Sequence, residues 1–237
     1  MENKKTFKPG AVLSPVPAVM VSCGSDSEKN IITIAWTGII NSNPPLTYIS
    51  VRKSRHSHKL ILESGEFVIN LVNEPLAFAA DFCGVKSGRE VDKFEKMNLT
   101  ARPAEMVDCP LIAEAPVNLE CKVKEVHAYP THDMFVAEIV NMHVNESLVD
   151  EKGKVDFAAA GLVAYVHGEY FGMKKKDLCE KAGISPASVT KMGRNGHVTT
   201  EILVKICAAL DCGIEDIIEI VPDEKQPSNK AEPGVMR

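Results

Sequence analysis

The feature that most constrains the fold is a change of sequence pattern close to Gly172. Before it, from residue 18 to 166, short runs rich in Val, Ile and Thr alternate with clusters of Gly, Pro, Asn and Asp. After it, from residue 174 to 220, apolar residues recur at helical spacing between glycines. Strands and helices place apolar side chains with different periods. We therefore predict a mainly β domain followed by a small all-α segment.

A chain of 237 residues is long enough for one barrel domain and a small appendage. The breaker cluster Asn-Ser-Asn-Pro-Pro at 41–45 predicts a turn between strands, and so does Tyr-Pro-Thr-His-Asp at 129–133. Ser57 is predicted to cap a helix that Gly65 ends. The predicted strands are 18–22, 31–40, 46–51, 67–72, 117–126, 134–144 and 162–166. Further helical segments are predicted at 75–83, 91–97, 177–181, 185–192, 199–210 and 214–220.

Charge and cysteine usage argue against several classes of protein. The formal charge of -5 argues against a general polyanion binder. No apolar run approaches the ~18 residues of a membrane span, and the charged N-terminus lacks the apolar core of a secretory signal, so we expect a cytoplasmic protein. The seven cysteines form no CxxC pair, which favours reduced thiols and argues against a metal site such as zinc.

One short loop is a candidate phosphate site. Residues 50–57, Ser-Val-Arg-Lys-Ser-Arg-His-Ser, join a predicted strand to a predicted helix. Neither GxGxxG nor GxxxxGK[ST] occurs in the chain, so a phosphate would have to be bound by loop side chains and amides. An Arg guanidinium donates two parallel hydrogen bonds, and a helix N-terminus adds unpaired N–H groups. A solvated basic turn is the alternative interpretation.

Several ordered segments extend this loop into a wider pattern. They are Asn-Ile-Ile-Thr-Ile-Ala-Trp-Thr-Gly at 30–38, Asn-Pro-Pro at 43–45, Tyr-Ile-Ser-Val-Arg at 48–52, Gly-Glu-Phe-Val-Ile-Asn-Leu at 65–71, the stretch 82–89, Asp-Lys-Phe at 92–94 and His-Gly-Glu-Tyr-Phe at 167–171. In this order they closely resemble the flavin reductase-like (flavoredoxin-type) family. The resemblance covers residues 8–173, and no single segment would carry it alone.

The resemblance implies a split β-barrel that dimerises and binds FMN near the subunit interface, with NADH or NADPH as the electron donor. By position, the residues that would line the isoalloxazine ring are Thr33, Ala35, Trp36 and Thr37. Those expected to hold the ribityl phosphate are Ser50 and Arg52, with Ser54 and Ser57, and Lys93 would lie near the phosphate end. Val51, between the first two, is a further candidate for cofactor binding. The pocket would be closed by His167 and Tyr170.

Several of these residues have a purely structural alternative. Trp36 would otherwise be a core aromatic, Lys93 a solvated charge and His167 a satisfied histidine at a strand end. Cys83 is either a redox thiol or, as is commoner, a buried structural cysteine. No side chain is predicted to be catalytic, because in such a site the chemistry belongs to the flavin.

The segment from residue 174 onward carries a second pattern. A glycine turn at Gly183 separates two predicted helices, and Ser185 and Pro186 suit the N-cap and first position of the second. Residues 174–197 hold six Lys or Arg and two Asp or Glu. This stretch, with 199–212, resembles the Cro/repressor-type helix-turn-helix family. The resemblance implies DNA contacts from the second helix, and the outward-facing candidates are Ser185, Ser188, Lys191 and Arg194.

The helix-turn-helix pattern departs from its family at the start. The family's first helix would occupy the dozen residues before the lysines at 174–176, which the barrel already uses. The segment is therefore either a truncated module that packs on the barrel or a fusion remnant, and a plain helical appendage is the structural alternative. The predicted domains are 8–173, the barrel, and 174–221, the helical segment, followed by a disordered tail at 222–237.

Two functions follow from these patterns. The first is an FMN-binding flavin reductase or flavoredoxin-like oxidoreductase, which passes electrons from a reduced nicotinamide to flavin or through it to an acceptor. The alternative is a flavin-sensing, DNA-binding transcriptional regulator.

Overall fold

A computed structural model describes residues 4–25, 28–166, 169–171, 182–185, 187–188, 191, 197–210 and 214. The chain separates into two units, Met1–Gly172 and Met173–Arg237. The described part of the first unit contains twelve strands: β1 (Val16–Pro17), β2 (Val19–Cys23), β3 (Asn30–Ile34), β4 (Thr37–Ser42), β5 (Pro45–Arg52), β6 (Glu66–Leu71), β7 (Ala101–Arg102), β8 (Leu111–Ile112), β9 (Val117–Ala128), β10 (His132–Val144), β11 (Ala164–Val166) and β12 (Glu169–Phe171). Its described helices are α1 (His56–Ser64), α2 (Ala77–Val85) and α3 (Lys93–Lys96), with 3-10 turns at Glu74–Leu76 and Glu146–Leu148.

The main sheet has seven antiparallel strands in the order β3-β2-β6-β9-β10-β5-β4. Its two edge strands, β3 and β4, are separated in sequence by Ala35 and Trp36 alone. Laid flat, six strand spacings would hold the edges ~29 Å apart, whereas the three Cα steps from Ile34 to Thr37 span at most ~11 Å. The sheet must therefore curl until its edges meet, which produces the split barrel and confirms the predicted mainly β fold class.

Apolar side chains are buried on both sides of the barrel wall. An inner cluster combines residues from β2, β3, β5, β6 and β10 with Leu60 and Ile61 of α1. An outer cluster lies under α2 and α3 and includes Met20, Ile31 and Phe94. Strand β2 is therefore buried at every position, and β6 is buried at its four central positions. Neither strand shows the alternation of polar and apolar residues that is typical of a strand with one solvent-exposed face.

The structure differs from the sequence-based prediction at several element boundaries. The predicted strand 31–40 is two strands, because the chain changes edges at Ala35–Trp36. The turn predicted at 129–133 is shorter, and β10 already begins at His132. Helix α1 begins at His56 with Arg55 in the N-cap position, so Ser57 is not the cap. Gly65 does end α1, in the left-handed region at φ 68°.

In the second unit, the described helix is α4 (Thr200–Leu210), within the predicted segment 199–210. A small buried cluster of Ala182, Ile206 and Ala209 packs with Ile184 and Ile202. The Ser185 hydroxyl accepts the Ser188 N–H at 3.2 Å, which is the predicted capping contact. The predicted helix 177–181, most of 214–220 and the tail 222–237 lie outside the described residues. Within the described residues, every helix is too short or too polar for a membrane span.

Candidate functional site

A basic pocket of about 510 Å³ lies where β5 passes into α1. Its walls come from four places: the end of β5 with the start of α1, strand β3, the end of α2 with the residues that follow it, and the start of α3. The lining residues are Asn30, Ile32, Arg52, Ser54, Arg55, His56, Ser57, Cys83, Lys86, Ser87, Gly88, Arg89, Glu90 and Lys93. Four residues predicted around the phosphate, Arg52, Ser54, Ser57 and Lys93, thus line one cavity. We call it the cation pocket.

The floor of the cation pocket is a pair of buried polar side chains. The Asn30 amide donates to the Ser57 hydroxyl at 2.8 Å, and both side chains are buried. Above them, a Cβ on Gly88 would come within 2.2 Å of the Asn30 Oδ1 atom. Only a glycine therefore lets the loop after α2 approach this floor without displacing it.

Lys93 is the most deeply buried cation of the pocket, with 3% of its surface exposed. Its Nζ donates to the carbonyls of Ile31 at 2.7 Å and Cys83 at 2.8 Å. Burial lowers the pKa of Lys93 below its usual value. An ammonium has three N–H donors, so the third is available for a hydrogen bond to a ligand in the pocket. The alternative of a solvated charge is wrong, because both backbone contacts hold this side chain inside the fold.

Cys83 also lines the pocket but is 1% exposed. Burial raises the pKa of its thiol to about 11, and a neutral thiol is a poor nucleophile near pH 7. These observations favour the structural interpretation of Cys83 over a redox role.

A second pocket of about 480 Å³ surrounds the link between the two sheet edges. Its walls include Ala35, Trp36, Thr37, Ser50 and Tyr129, and the segment Ala11–Pro17 contributes apolar side chains. We call it the tryptophan pocket. Trp36 is 45% exposed, so it is not a core aromatic. Its carbonyl accepts the Ser50 N–H at 2.9 Å, and the Thr37 hydroxyl donates to the Tyr48 carbonyl at 2.6 Å. These bonds hold the link against β5.

His132 adjoins one residue of each pocket, and the sequence does not predict it as a site residue. It pairs with Arg52 in the β10–β5 register, and its ring lies 4.7 Å from that of Trp36 between centroids. Burial, with a further contribution from Arg52, lowers the pKa of His132. The sequence predicts a turn at this residue, and only strand pairing brings it beside Arg52 and Trp36.

A polar cluster around the buried carboxylate of Asp133 supports the segment that carries Arg52 and Ser54. The His58 Nε2 lies 2.8 Å from Asp133 Oδ2, and Lys53 Nζ lies 3.2 Å from Asp133 Oδ1. Burial opposes the charge of Asp133, but the hydrogen bonds from His58 and Lys53 lower its pKa overall. The cluster ties β10 to both ends of the β5–α1 loop.

Three other predicted residues, Thr33, Val51 and Tyr170, do not line the two pockets. Val51 is buried in the inner cluster, and the Thr33 hydroxyl donates to the Ala80 carbonyl under α2. Tyr170 stacks edge-on against Tyr165 at 5.2 Å beside the outer cluster, and burial raises its pKa. His167 lies outside the described residues.

In the second unit, Ser188 and Lys191 line a shallow cavity of about 200 Å³ with His197. Ser185 and Lys191 are exposed, and the Ser185 and Ser188 hydroxyls lie 2.9 Å apart. Arg194 lies outside the described residues.

The two pockets together suit an elongated ligand. Ser50 lines the tryptophan pocket and Arg52 the cation pocket, and alternate residues of a strand are ~6.7 Å apart on the same face. One pocket offers an aromatic and apolar wall, and the other offers guanidinium groups and hydroxyls. The residues present therefore fit a molecule with a planar ring at one end and a phosphate at the other, such as FMN.

Similar solved structures share the barrel. The flavoredoxin of Desulfovibrio vulgaris (Miyazaki F) is 31% identical, with a TM-score of 0.67 over 73% of this chain and 94% of that one. A flavoredoxin from Methanosarcina acetivorans is 27% identical, with a TM-score of 0.66 over 71% and 91%. An FMN-binding protein from Thermus thermophilus is 25% identical, with a TM-score of 0.60 over 72% and 94%.

Family models match both parts of the chain. Residues 171–223 match the Cro/C1-type helix-turn-helix DNA-binding domain. Residues 12–174 match the flavin reductase like domain, which is more than half of the sequence. With the split barrel and the paired pockets, this match shows that the chain belongs to the flavin reductase-like family.

Proposed function

We propose that this chain binds FMN and works as a flavin-dependent oxidoreductase, with NADH or NADPH as the electron donor. The observation that carries the proposal is the division of strand β5, on which Ser50 lines the tryptophan pocket and Arg52 lines the cation pocket. The same strand therefore contributes one wall residue to each pocket. A ligand that carries a ring and a phosphate on a short linker would satisfy both.

The chain's own residues would bind and orient the cofactor. Arg52, Ser54 and the first turn of α1 would hold the phosphate, and Lys93 would add charge beneath it. Trp36 and the apolar residues around it would shield the ring from water. When bound, FMN would supply the electron-transfer chemistry at its isoalloxazine ring. A reducing compartment such as the cytoplasm suits the five described cysteines, which are free thiols.

The test is a titration of the purified full chain with FMN, followed by absorption spectroscopy and calorimetry. We expect a bound flavin spectrum and about one FMN per subunit. Addition of NADH or NADPH should then bleach that spectrum and identify the donor. An absence of both heat and spectral change on adding FMN would refute the proposal.

We further propose that the barrel forms a homodimer. Apolar side chains are exposed at the rim of the tryptophan pocket, including Leu13 at 86%, Trp36 and Tyr129. Contiguous exposed apolar surface of this kind is typical of an interface. Light scattering of the full chain should give twice the chain mass, and Leu13→Asp should shift it toward the monomer. A wild-type monomer that binds FMN fully would contradict the dimer alone.

A second candidate function is DNA-binding regulation that responds to flavin. It is favoured by the family match at 171–223, by the capping contact between Ser185 and Ser188, and by the exposed side chain of Lys191. Gel-shift experiments against genomic fragments should then give a complex that weakens steeply with salt. Lys191→Gln should weaken it, whereas Lys205→Gln on α4 serves as the control. A complex absent at low salt would leave the reductase as the sole function.

A further inference from the structure

The segment that precedes strand β1 forms an exposed arm, residues 4–13. Every residue of the arm is exposed, and none belongs to a helix or a strand. Three of its side chains are large and apolar: Phe7 is 82% exposed, Val12 67% and Leu13 86%. Apolar side chains in water are stabilised when another apolar surface covers them. The arm therefore presents apolar groups that can gain from packing elsewhere.

The base of the arm is fixed at the wall of the tryptophan pocket. Strand β1, which follows the arm, pairs with β11 through Val16 and Tyr165. Ala11 and Leu13 of the arm line the pocket, as Trp36 does from the link between the sheet edges. The arm is thus held at its C-terminal end, and the residues before Ala11 start at the edge of the proposed ring site.

A bend at Ala11 marks the place where the arm can turn. The Val12 N–H donates to the Gly10 carbonyl at 3.0 Å, which is the hydrogen bond of a γ-turn. Gly10 has no side chain, so it accepts a wide range of backbone angles. Four Cα steps from Ala11 to Phe7 span at most ~14 Å, and a sphere with the pocket's volume of about 480 Å³ is only ~10 Å across. Phe7 can therefore reach across the pocket by rotation near Gly10.

An aromatic side chain suits the opening of this pocket. Trp36 already provides an aromatic wall and is 45% exposed. Aromatic rings pack favourably on one another in offset-stacked or edge-on arrangements. Phe7 would thus add a second aromatic contact to a bound ring and exclude water from it. The second copy proposed above would cover the rim of the pocket, whereas Phe7 is a cover that each chain supplies for itself.

We propose that the arm is a strap that closes over the ring of a bound flavin, with Phe7 as the closing residue. The inference rests on the proposed FMN site and adds to it how this chain retains the flavin. Because the strap acts on the ring, riboflavin should close it as well as FMN does. Inorganic phosphate has no ring and should leave the arm open.

The first experiment follows trypsin cleavage after Lys5 of the full chain by mass spectrometry. Exposed chain ends are preferred sites of cleavage, and the rate follows the population of the open form. Saturating FMN or riboflavin should slow this cleavage by about fivefold or more, and saturating inorganic phosphate by less than about twofold. Phe7→Ser should remove the protection. Phe157→Ser is the matched control and should keep it, since Phe157 is an exposed phenylalanine outside both pockets.

The rate of FMN dissociation gives a second measurement. Phe7→Ser should raise it roughly 2- to 12-fold through the lost aromatic contact, while the association rate changes less than about twofold. Flavin that binds, as its absorption spectrum shows, without protecting Lys5 would overturn the strap alone. Equal protection by phosphate and riboflavin would also overturn it, because the arm would then respond to the cation pocket. A chain that binds neither flavin would refute the proposed function as well.

Discussion

The cation pocket and the tryptophan pocket are built in opposite ways. The first is lined by side chains that buried hydrogen bonds hold in place, among them Asn30, Ser57 and Lys93. The second has walls that are largely exposed, including Trp36, Tyr129 and Leu13. A preorganised site loses little conformational entropy when a ligand binds. Exposed apolar surface, in contrast, is stabilised when another surface covers it. Under the proposed homodimer, we expect one subunit to suffice for phosphate recognition and the second copy to cover the ring site.

The largest effect should come from removing the cation on β5. Arg52→Ala should weaken FMN roughly tenfold to a hundredfold, because a charge-assisted hydrogen bond to phosphate is lost. Riboflavin has no phosphate and should change less than about twofold. Calorimetry with both ligands measures the difference, and the exposed Lys59→Gln is the control. Equal losses for both ligands would mean that Arg52 acts on the ring site or on folding, and that the two pockets are not separate.

The next largest effect should come from Asp133, which holds the segment beside the cation pocket, and it concerns the free energy of unfolding. Asp133 has a lowered pKa, so its contribution to stability is present above the unfolded pKa of ~3.9 and is lost as pH falls through the folded value. Asp133→Asn should therefore reduce the free energy of unfolding by about 1–3 kcal/mol at pH 7. Urea unfolding at pH 7 and pH 3 should show wild type and variant converging at the lower pH.

The matched control for Asp133 is Glu63→Gln, which breaks an exposed ion pair with Lys59 on α1. Surface pairs contribute little, so this variant should unfold like wild type. A gap between wild type and Asp133→Asn that stays constant down to pH 3 would exclude ionisation of Asp133 as its cause.

Substituting Trp36 in the tryptophan pocket should have a smaller effect on flavin affinity. Trp36→Ala should weaken FMN and riboflavin by the same factor, roughly 2- to 12-fold, because an aromatic contact contributes ~0.5–1.5 kcal/mol beyond its area. Trp36→Phe keeps a ring and should recover most of the loss. If FMN is weakened far more than riboflavin, Trp36 influences the phosphate end and the contrast between the pockets is wrong.

The smallest effect is an electrostatic link between the pockets. Burial and then Arg52 lower the pKa of His132, so Arg52→Ala should raise that pKa while burial keeps it below the ordinary value. An NMR titration of the His132 ring measures the change, with His127 on β9 as an exposed internal reference. An unchanged His132 would mean that Arg52 does not act across the boundary between the pockets.

Much of the fold was predictable because its signals are local. The predicted strands at 46–51, 117–126 and 134–144 are close to β5, β9 and β10. The end of α1 at Gly65 was also predicted, since a left-handed residue suits glycine at a helix end. The break inside 31–40 was not, because β-branched residues continue almost to the link and only sheet closure forces the chain to change edges there.

The sequence by itself determined the mainly β class, the change of pattern near Gly172, and the position of Arg52, Ser54 and Ser57 between a strand and a helix. Each of these depends on residues close together in the chain. Only the tertiary structure decided that Ser50 and Arg52 serve different pockets, that Lys93 is buried, and that His132 lies beside Trp36. Arg89 reaches Ser54 across 35 positions of sequence. Such contacts depend on strand order and register, which local periodicity does not encode.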